Sequence, residues 1–302
     1  TAIAAFGIGN MVQANSVAGT LTKTLSEYAG MSVGYNITAR IVIGLVLTLI
    51  TAVTLLGGVK SIANVCTKLV PFMAVFYILG CCALLIIHAD TLPATVVLIV
   101  KSAFTDHAAV GGFVGAGVAA AMRFGIARGL FSNESGLGSA PIVAAAAQTR
   151  NPIRQALVSS TGTFWDTVVV CLMTGLVIVN SGAWKLSHDK ENLGTLLTHD
   201  AFADLGWIGP TFLTVALLTF VFSTILGWSY YGEKAIEYLF GTKAIAPYRI
   251  LWVIMVFVGA VNGPQAVWDF ADIANGLMAI PNLIALLLLS GVIVDETRKY
   301  RW

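Results

Sequence analysis

The apolar residues of this chain are gathered into blocks of about 20, the length of helix that a bilayer core demands, and not into the fine amphipathic pattern of a water-soluble bundle. Eight such stretches run through residues 2–21, 34–56, 68–88, 112–149, 155–180, 207–231, 246–262 and 271–294. The fourth is about 38 residues long against about 20 needed for one crossing, so it reads as two half-helices around an irregular middle. Composition agrees: 57% of the 302 residues are hydrophobic and 11% charged, where a soluble domain carries roughly 25% charged residues. A net charge of +2 argues against a nucleic-acid partner. No soluble domain, heptad repeat or low-complexity tract is visible, so residues 1–302 read as one all-α polytopic transmembrane domain. Thr1 already lies inside an apolar stretch, with no Met and no leader before it, and a chain lacking its true N-terminus is expected.

Charge sorts the connections. One set carries Lys60, Lys68, Arg150, Arg154, Lys234, Lys243, Arg249, Arg298, Lys299 and Arg301; the other carries Lys23, Arg40, Lys101, Lys185 and Lys190. The positive-inside rule puts the first set, and with it both ends of the chain, in the cytoplasm. The connection 181–206 is acidic, with Asp189, Glu191, Asp200 and Asp204, and the apolar run Leu92 to Val100 is too short to span and suits an interfacial helix within 90–110.

The segment Arg123 to Pro141 breaks the pattern. It holds two arginines, a glutamate, an asparagine, four glycines and a proline at membrane depth. A charge at the bilayer centre costs on the order of 3 kcal/mol on insertion scales, and glycine and proline weaken helix continuity. Irregular backbone at that depth must be buried in protein or line water, so an unwound helix beside a polar cavity is expected. Asp166 in the fifth stretch is a second intramembrane carboxylate. Arg123, Arg128, Glu134 and Asp166 balance in charge and read as a structural network, with proton coupling through Glu134 or Asp166 as the sharper alternative.

Further polar residues suggest a site. Asn10, Gln13, Ser16 and Thr20 share one face of the first stretch, with Asn15 beside them; such a stripe either glues helices together or contributes to binding. Ser223 and Thr224 offer hydroxyls that suit a hard cation such as Na⁺. Trp228 shares a face with Thr224 and could wall a pocket, while Tyr230 and Tyr231 read as an interfacial belt. The turn at Asn262, with Trp268, Asp269 and Asp272, reads as an external vestibule or a plain capped loop. The cysteines and histidines lack metal spacing, and no nucleophile–base constellation, P-loop or G-x-S-x-G motif is present. Neither an enzyme, a transition metal, an organic cofactor nor an obligate protein partner is expected.

Three segments resemble one family closely: Phe6-Gly-Ile-Gly-Asn-Met-Val-Gln-Ala-Asn-Ser16, the block from Gly125 to Pro141, and Asp166-Thr-x-x-x-Cys171-x-x-Thr-Gly. They are similar to the alanine/glycine:cation symporters, and the resemblance covers the whole chain. It implies a leucine-transporter-type (APC-like) inverted repeat, here incomplete, with about eight spans corresponding to helices 3 to 10. Residues 1–110 would be the last three helices of the first repeat, 111–294 the second repeat, and 295–302 the start of a tail or linker. Helices one and two, and the terminal eleventh helix, would then be missing. The resemblance also implies uptake of alanine or glycine into a bacterial or archaeal cell by alternating access, with Na⁺, or H⁺ in some members, as coupling ion. Carried over by position, Gln13, Phe131, Asn133, Thr224 and Trp228 would surround the amino acid, and Ser223 and Thr224 would hold the cation. A ligand-gated channel or sensor on the same scaffold is the rival, and an intramembrane hydrolase using Asp166 or Glu134 lacks a partner group.

Overall fold

The computed structural model describes residues 1–29, 36–104, 114–185 and 193–300, and every regular element among them is a helix. Helix α1 spans 4–28, passing through a π-helical turn at Gly7–Met11 into Val12–Tyr28. It is followed by α2 (Ile37–Leu56), α3 (Gly58–Ile87), α4 (Leu92–Phe104), α5 (Val114–Asn133) and α6 (Ala140–Ala144). Then come α7 (Pro152–Ser181, π-helical over Phe164–Cys171), α8 (Leu193–Phe202), α9 (Ile208–Phe240), α10 (Ile245–Val261), α11 (Pro264–Leu288) and α12 (Ser290–Lys299). Side chains mark several starts. Asn36 accepts from the Ala39 N–H at 3.1 Å, and Asn151 from Ile153 N–H at 2.8 Å, each satisfying an orphan donor of a first turn.

Six helices are long and apolar enough to cross a membrane: α2, α3, α7, α9, α10 with its leading turn, and α11. The eight expected stretches thus reduce to six by length and composition. The two that fall short are α1, which is continuous over 4–28 but carries the polar stripe, and the stretch 112–149, which divides into α5 and α6. The expected short helix within 90–110 is α4, and part of the acidic connection 181–206 is α8. His107, His188, Asp189, Lys190, Glu191, Arg301 and the repeat boundary at 110/111 lie outside the described residues.

Helix α1 packs against α9 and α10. A Cβ added to Gly9 would lie 2.1 Å from Cβ and Cγ of Trp228 on α9, and one added to Gly259 of α10 would lie 2.5 Å from Cα of Met11. Glycine at both contacts lets backbones approach where the bilayer supplies no hydrophobic drive between helices. Polar groups then bind the pair. Asn10 Nδ2 donates to Trp252 O at 2.9 Å, and Asn15 Nδ2 donates to Gly259 O at 3.0 Å and Asn262 O at 2.7 Å. Arg40 adds a bond from Nη1 to Ala260 O at 2.9 Å. The carbonyls at the end of α10, which no intrahelical N–H can reach, are satisfied by neighbouring side chains. Asn10 of the α1 stripe, and Asn15 beside it, therefore act as glue.

Apolar packing forms two groups. One centres on Ile8, Val17, Leu226, Trp252, Val256 and Val267. The other joins α3, α8 and α9 through Tyr77, Cys81, Phe202 and Leu213, with the Phe76 and Phe212 rings stacked at 4.0 Å. At the opposite end of α9, Glu233 is buried and takes a bidentate pair from Arg249 of α10, at 2.7 and 2.9 Å.

Candidate functional site

The expected unwinding is present and narrower than Arg123–Pro141. Helix α5 continues to Asn133, so Arg123 and Arg128 are helical, and the break occupies 134–139. Its φ angles are +58° at Glu134, +79° at Gly136 and +85° at Gly138. Two glycines enter the left-handed region without a Cβ clash. Glu134 is the one non-glycine residue with positive φ among the described residues, a strained choice for a residue with a Cβ. Pro141 then starts α6, where its missing N–H costs nothing.

The loosened backbone is held by two side chains, one of them anchored in turn on α7. Asn133 Oδ1 accepts from Ser135 N–H at 2.9 Å, and its Nδ2 donates to Thr167 Oγ1 of α7 at 3.1 Å. Asn282 of α11 donates to Gly136 O at 2.9 Å. Beside Thr167, the Asp166 carboxylate accepts from Ser132 Oγ at 2.8 Å. Asp166 lies within the π-helical part of α7, and such bulges recur at functional sites.

Next to the break lies a cavity of about 400 Å³, bounded by α1, α3, α5, α7, α8, α9 and α11. It brings together Gln13, Phe131 and Thr224, three of the five residues expected around the amino acid. Ser16, Tyr77, Thr174, Thr198 and Trp268 supply further lining, and among the described residues no charged side chain does. Trp228 stands one turn beyond Thr224, outside this lining. It is 4% exposed, lies against Gly9, meets the Tyr231 ring edge-on at 5.3 Å, and neighbours the Glu134 carboxylate. Asn133 faces Thr167 and the break. Ser223 Oγ donates to Phe220 O at 2.9 Å and approaches Met73 Sδ at 3.2 Å, while Thr224 Oγ1 donates to the same Phe220 carbonyl at 2.9 Å. The two hydroxyls are adjacent, but only Thr224 reaches the cavity.

Of the residues expected to form a charge network, Arg128 pairs with a carboxylate outside it. Arg128 Nη2 meets Asp272 Oδ2 of α11 at 2.7 Å, and its guanidinium stacks 4.5 Å from the Trp268 ring and 5.9 Å from that of Phe131. Helix α5 carries Arg128 on its α11 side, whereas Asp166 on α7 is met by Ser132 and Thr167. Trp268 and Asp272, first assigned to a vestibule or plain loop, thus belong to the first turns of α11 beside the cavity.

A polar cluster adjoins the Thr198 side of the cavity. Lys23 Nζ contacts Asp200 Oδ1 at 2.5 Å, and buried His199 places Nε2 3.4 Å from Glu27 and 3.3 Å from Thr24 Oγ1. Burial, and behind it the Lys23 charge, hold the His199 imidazole below its ordinary pKa.

Tyr77 and Thr174 had no signal of their own in the sequence. Tyr77 sits within an apolar run, and Thr174 was visible only as a position in the Asp166 motif.

A family model described as the sodium:alanine symporter family matches residues 1–302. A sodium/alanine symporter, AgcS, of Methanococcus maripaludis is 48% identical over 99% of this chain and 63% of its own length. An uncharacterised transporter of Haemophilus influenzae is 46% identical over 99% of this chain and 63% of its own length. A probable sodium/glutamine symporter, GlnT, of Bacillus subtilis is 38% identical over 87% of this chain and 54% of its own. The chain thus spans under two thirds of the length of these relatives.

Proposed function

The chain belongs to the sodium:alanine symporter family, and from that premise we propose that it carries a small neutral amino acid, alanine or glycine, into the cell together with Na⁺. A symporter family is a family of transporters, so the chain is not an enzyme, and the hydrolase reading of Asp166 or Glu134 is set aside. The observation that carries the proposal is the cavity beside the break. Four of the helices that bound it, α3, α7, α9 and α11, are long and apolar enough to cross a membrane, its volume of about 400 Å³ falls within the roughly 300–1,000 Å³ of small-molecule pockets, and its lining among the described residues has no charged side chain to favour a cationic or anionic substrate over a zwitterion.

Gln13, Phe131 and Thr224 are the proposed substrate contacts, with Asn133 and Trp228 shaping the break and the turn beyond. Ser223 and Thr224 are the proposed cation ligands, and Arg123, Arg128, Glu134 and Asp166 the charged framework. The scaffold is proposed to be the leucine-transporter-type inverted repeat, divided near 110/111, with both ends of the chain cytoplasmic in the plasma membrane. Alternating access would come from rocking of one helix group against another about the broken helix. Na⁺ is preferred to H⁺ because hydroxyl and carbonyl oxygens suit a hard cation.

Titration calorimetry of alanine into the purified full-length protein is expected to show binding in NaCl and little in N-methylglucamine chloride. Gln13→Ala is expected to weaken that binding about tenfold, the worth of one or two hydrogen bonds. Equal binding in both salts would remove the Na⁺ role, binding that followed pH alone would turn it to H⁺, and no alanine binding in either would remove the substrate assignment.

A further inference from the structure

Of the five hydroxyls among the described residues that line the cavity, four have their protons already committed. Ser16 Oγ donates to Val12 O at 2.9 Å, Thr224 Oγ1 to Phe220 O at 2.9 Å, and Thr174 Oγ1 to Val170 O at 2.7 Å. Each hydroxyl has one proton, so what these three side chains can turn toward the cavity is lone pairs. Tyr77 follows from the same count. Its hydroxyl lies 2.7 Å from Thr174 Oγ1. With the Thr174 proton on Val170, Tyr77 is the donor in that contact and keeps only acceptor capacity for the cavity. Four hydroxyls from α1, α3, α7 and α9 thus form an acceptor lining. Phe131 and Phe220 line the same cavity, and aromatic faces attract cations.

We infer that this wall receives the ammonium pole of the substrate and turns its carboxylate away. An ammonium group has three donors and no acceptor, so it meets lone pairs oriented before it arrives. A carboxylate is acceptor-only when ionised and would have to win each proton from a helix carbonyl. That no carboxylate lines the cavity among the described residues fits the same ligand, because neutral oxygens hold the ammonium without competing for its proton. The assignment rests on the amino-acid reading of the cavity and adds to it the direction in which the zwitterion lies.

The test is displacement of radiolabelled alanine from the full-length protein by alaninamide, which keeps the ammonium and lacks the carboxylate, and by lactate, which keeps the carboxylate and lacks the amine. Wild type is compared with Ser16→Ala and Tyr77→Phe. Ser16→Ala removes a hydroxyl bonded within its own helix and substitutes a better helix former, so it is the variant that keeps the inference testable if Tyr77→Phe fails to fold. Both variants are expected to lose affinity for alanine and alaninamide by the same factor, about 10- to 100-fold for a hydrogen bond to a charged group, and to leave lactate displacement unchanged. Variants that weakened lactate and spared alaninamide would overturn the assignment. Wild type that bound no alanine would instead sink the amino-acid reading on which it rests.

Discussion

Replacing Trp228 with alanine is expected to lower stability by about 3–5 kcal/mol, the usual cost of emptying a buried aromatic site, and to admit amino acids larger than alanine. Both effects come from one placement. The indole fills the space where α9 meets α1 at Gly9, it is 4% exposed, and it neighbours Glu134 at the break. Thr224, one turn earlier on the same face of α9, lines the cavity. Removing the ring should therefore extend the cavity by a turn toward the break. Thermal unfolding in detergent reads the first effect, and competition of leucine against labelled alanine reads the second. A variant that lost stability but discriminated against leucine as the wild type does would leave Trp228 a packing residue only.

Arg249→Ala is expected to cost about 3–5 kcal/mol, because it strands a buried carboxylate. The Glu233 side chain is 5% exposed and both its oxygens are held by Arg249, at 2.7 and 2.9 Å. The pair ties α9 to α10 far from the cavity, so alanine affinity in the surviving folded protein should be unchanged. The double variant Glu233→Leu, Arg249→Met should recover most of the loss, since replacing a whole buried pair with apolar residues is often neutral. A single variant with unchanged unfolding temperature would show that solvent or lipid headgroups already neutralise Glu233.

Much of the fold was legible because a bilayer leaves few choices. Apolar length alone marks α2, α3, α7, α9, α10 and α11. The limits of that signal show at α1 and at α5–α6, where the polar residues proposed for the site also dilute the apolar run by which a span is recognised. The break was legible from Gly136, Gly138 and Pro141, whose backbone preferences are local. Its short extent was not, because nothing local in the sequence of Arg123 or Arg128 says whether helix continues beneath them. The pairing of Arg128 with Asp272 joins residues 144 apart, and only packing reveals such a partner. The acceptor character of the cavity was also out of reach. It depends on which carbonyl each hydroxyl finds, a matter of rotamer and not of residue type. Asn10 and Asn15 show the converse. They looked as suitable for a ligand as Gln13 did, and their bonds to Trp252, Gly259 and Asn262 spend them on holding α10.

The proposed symport through this cavity makes one demand that binding alone cannot meet. Proteoliposomes containing the full-length protein, with an inward Na⁺ gradient and equal alanine on both sides, should accumulate labelled alanine above the external concentration. Replacing Na⁺ by N-methylglucamine should abolish that accumulation, and Thr224→Val should reduce it severely. Alanine that only equilibrated across the membrane, at the same rate with or without Na⁺, would contradict cation-driven symport and mark the protein as a passive pathway.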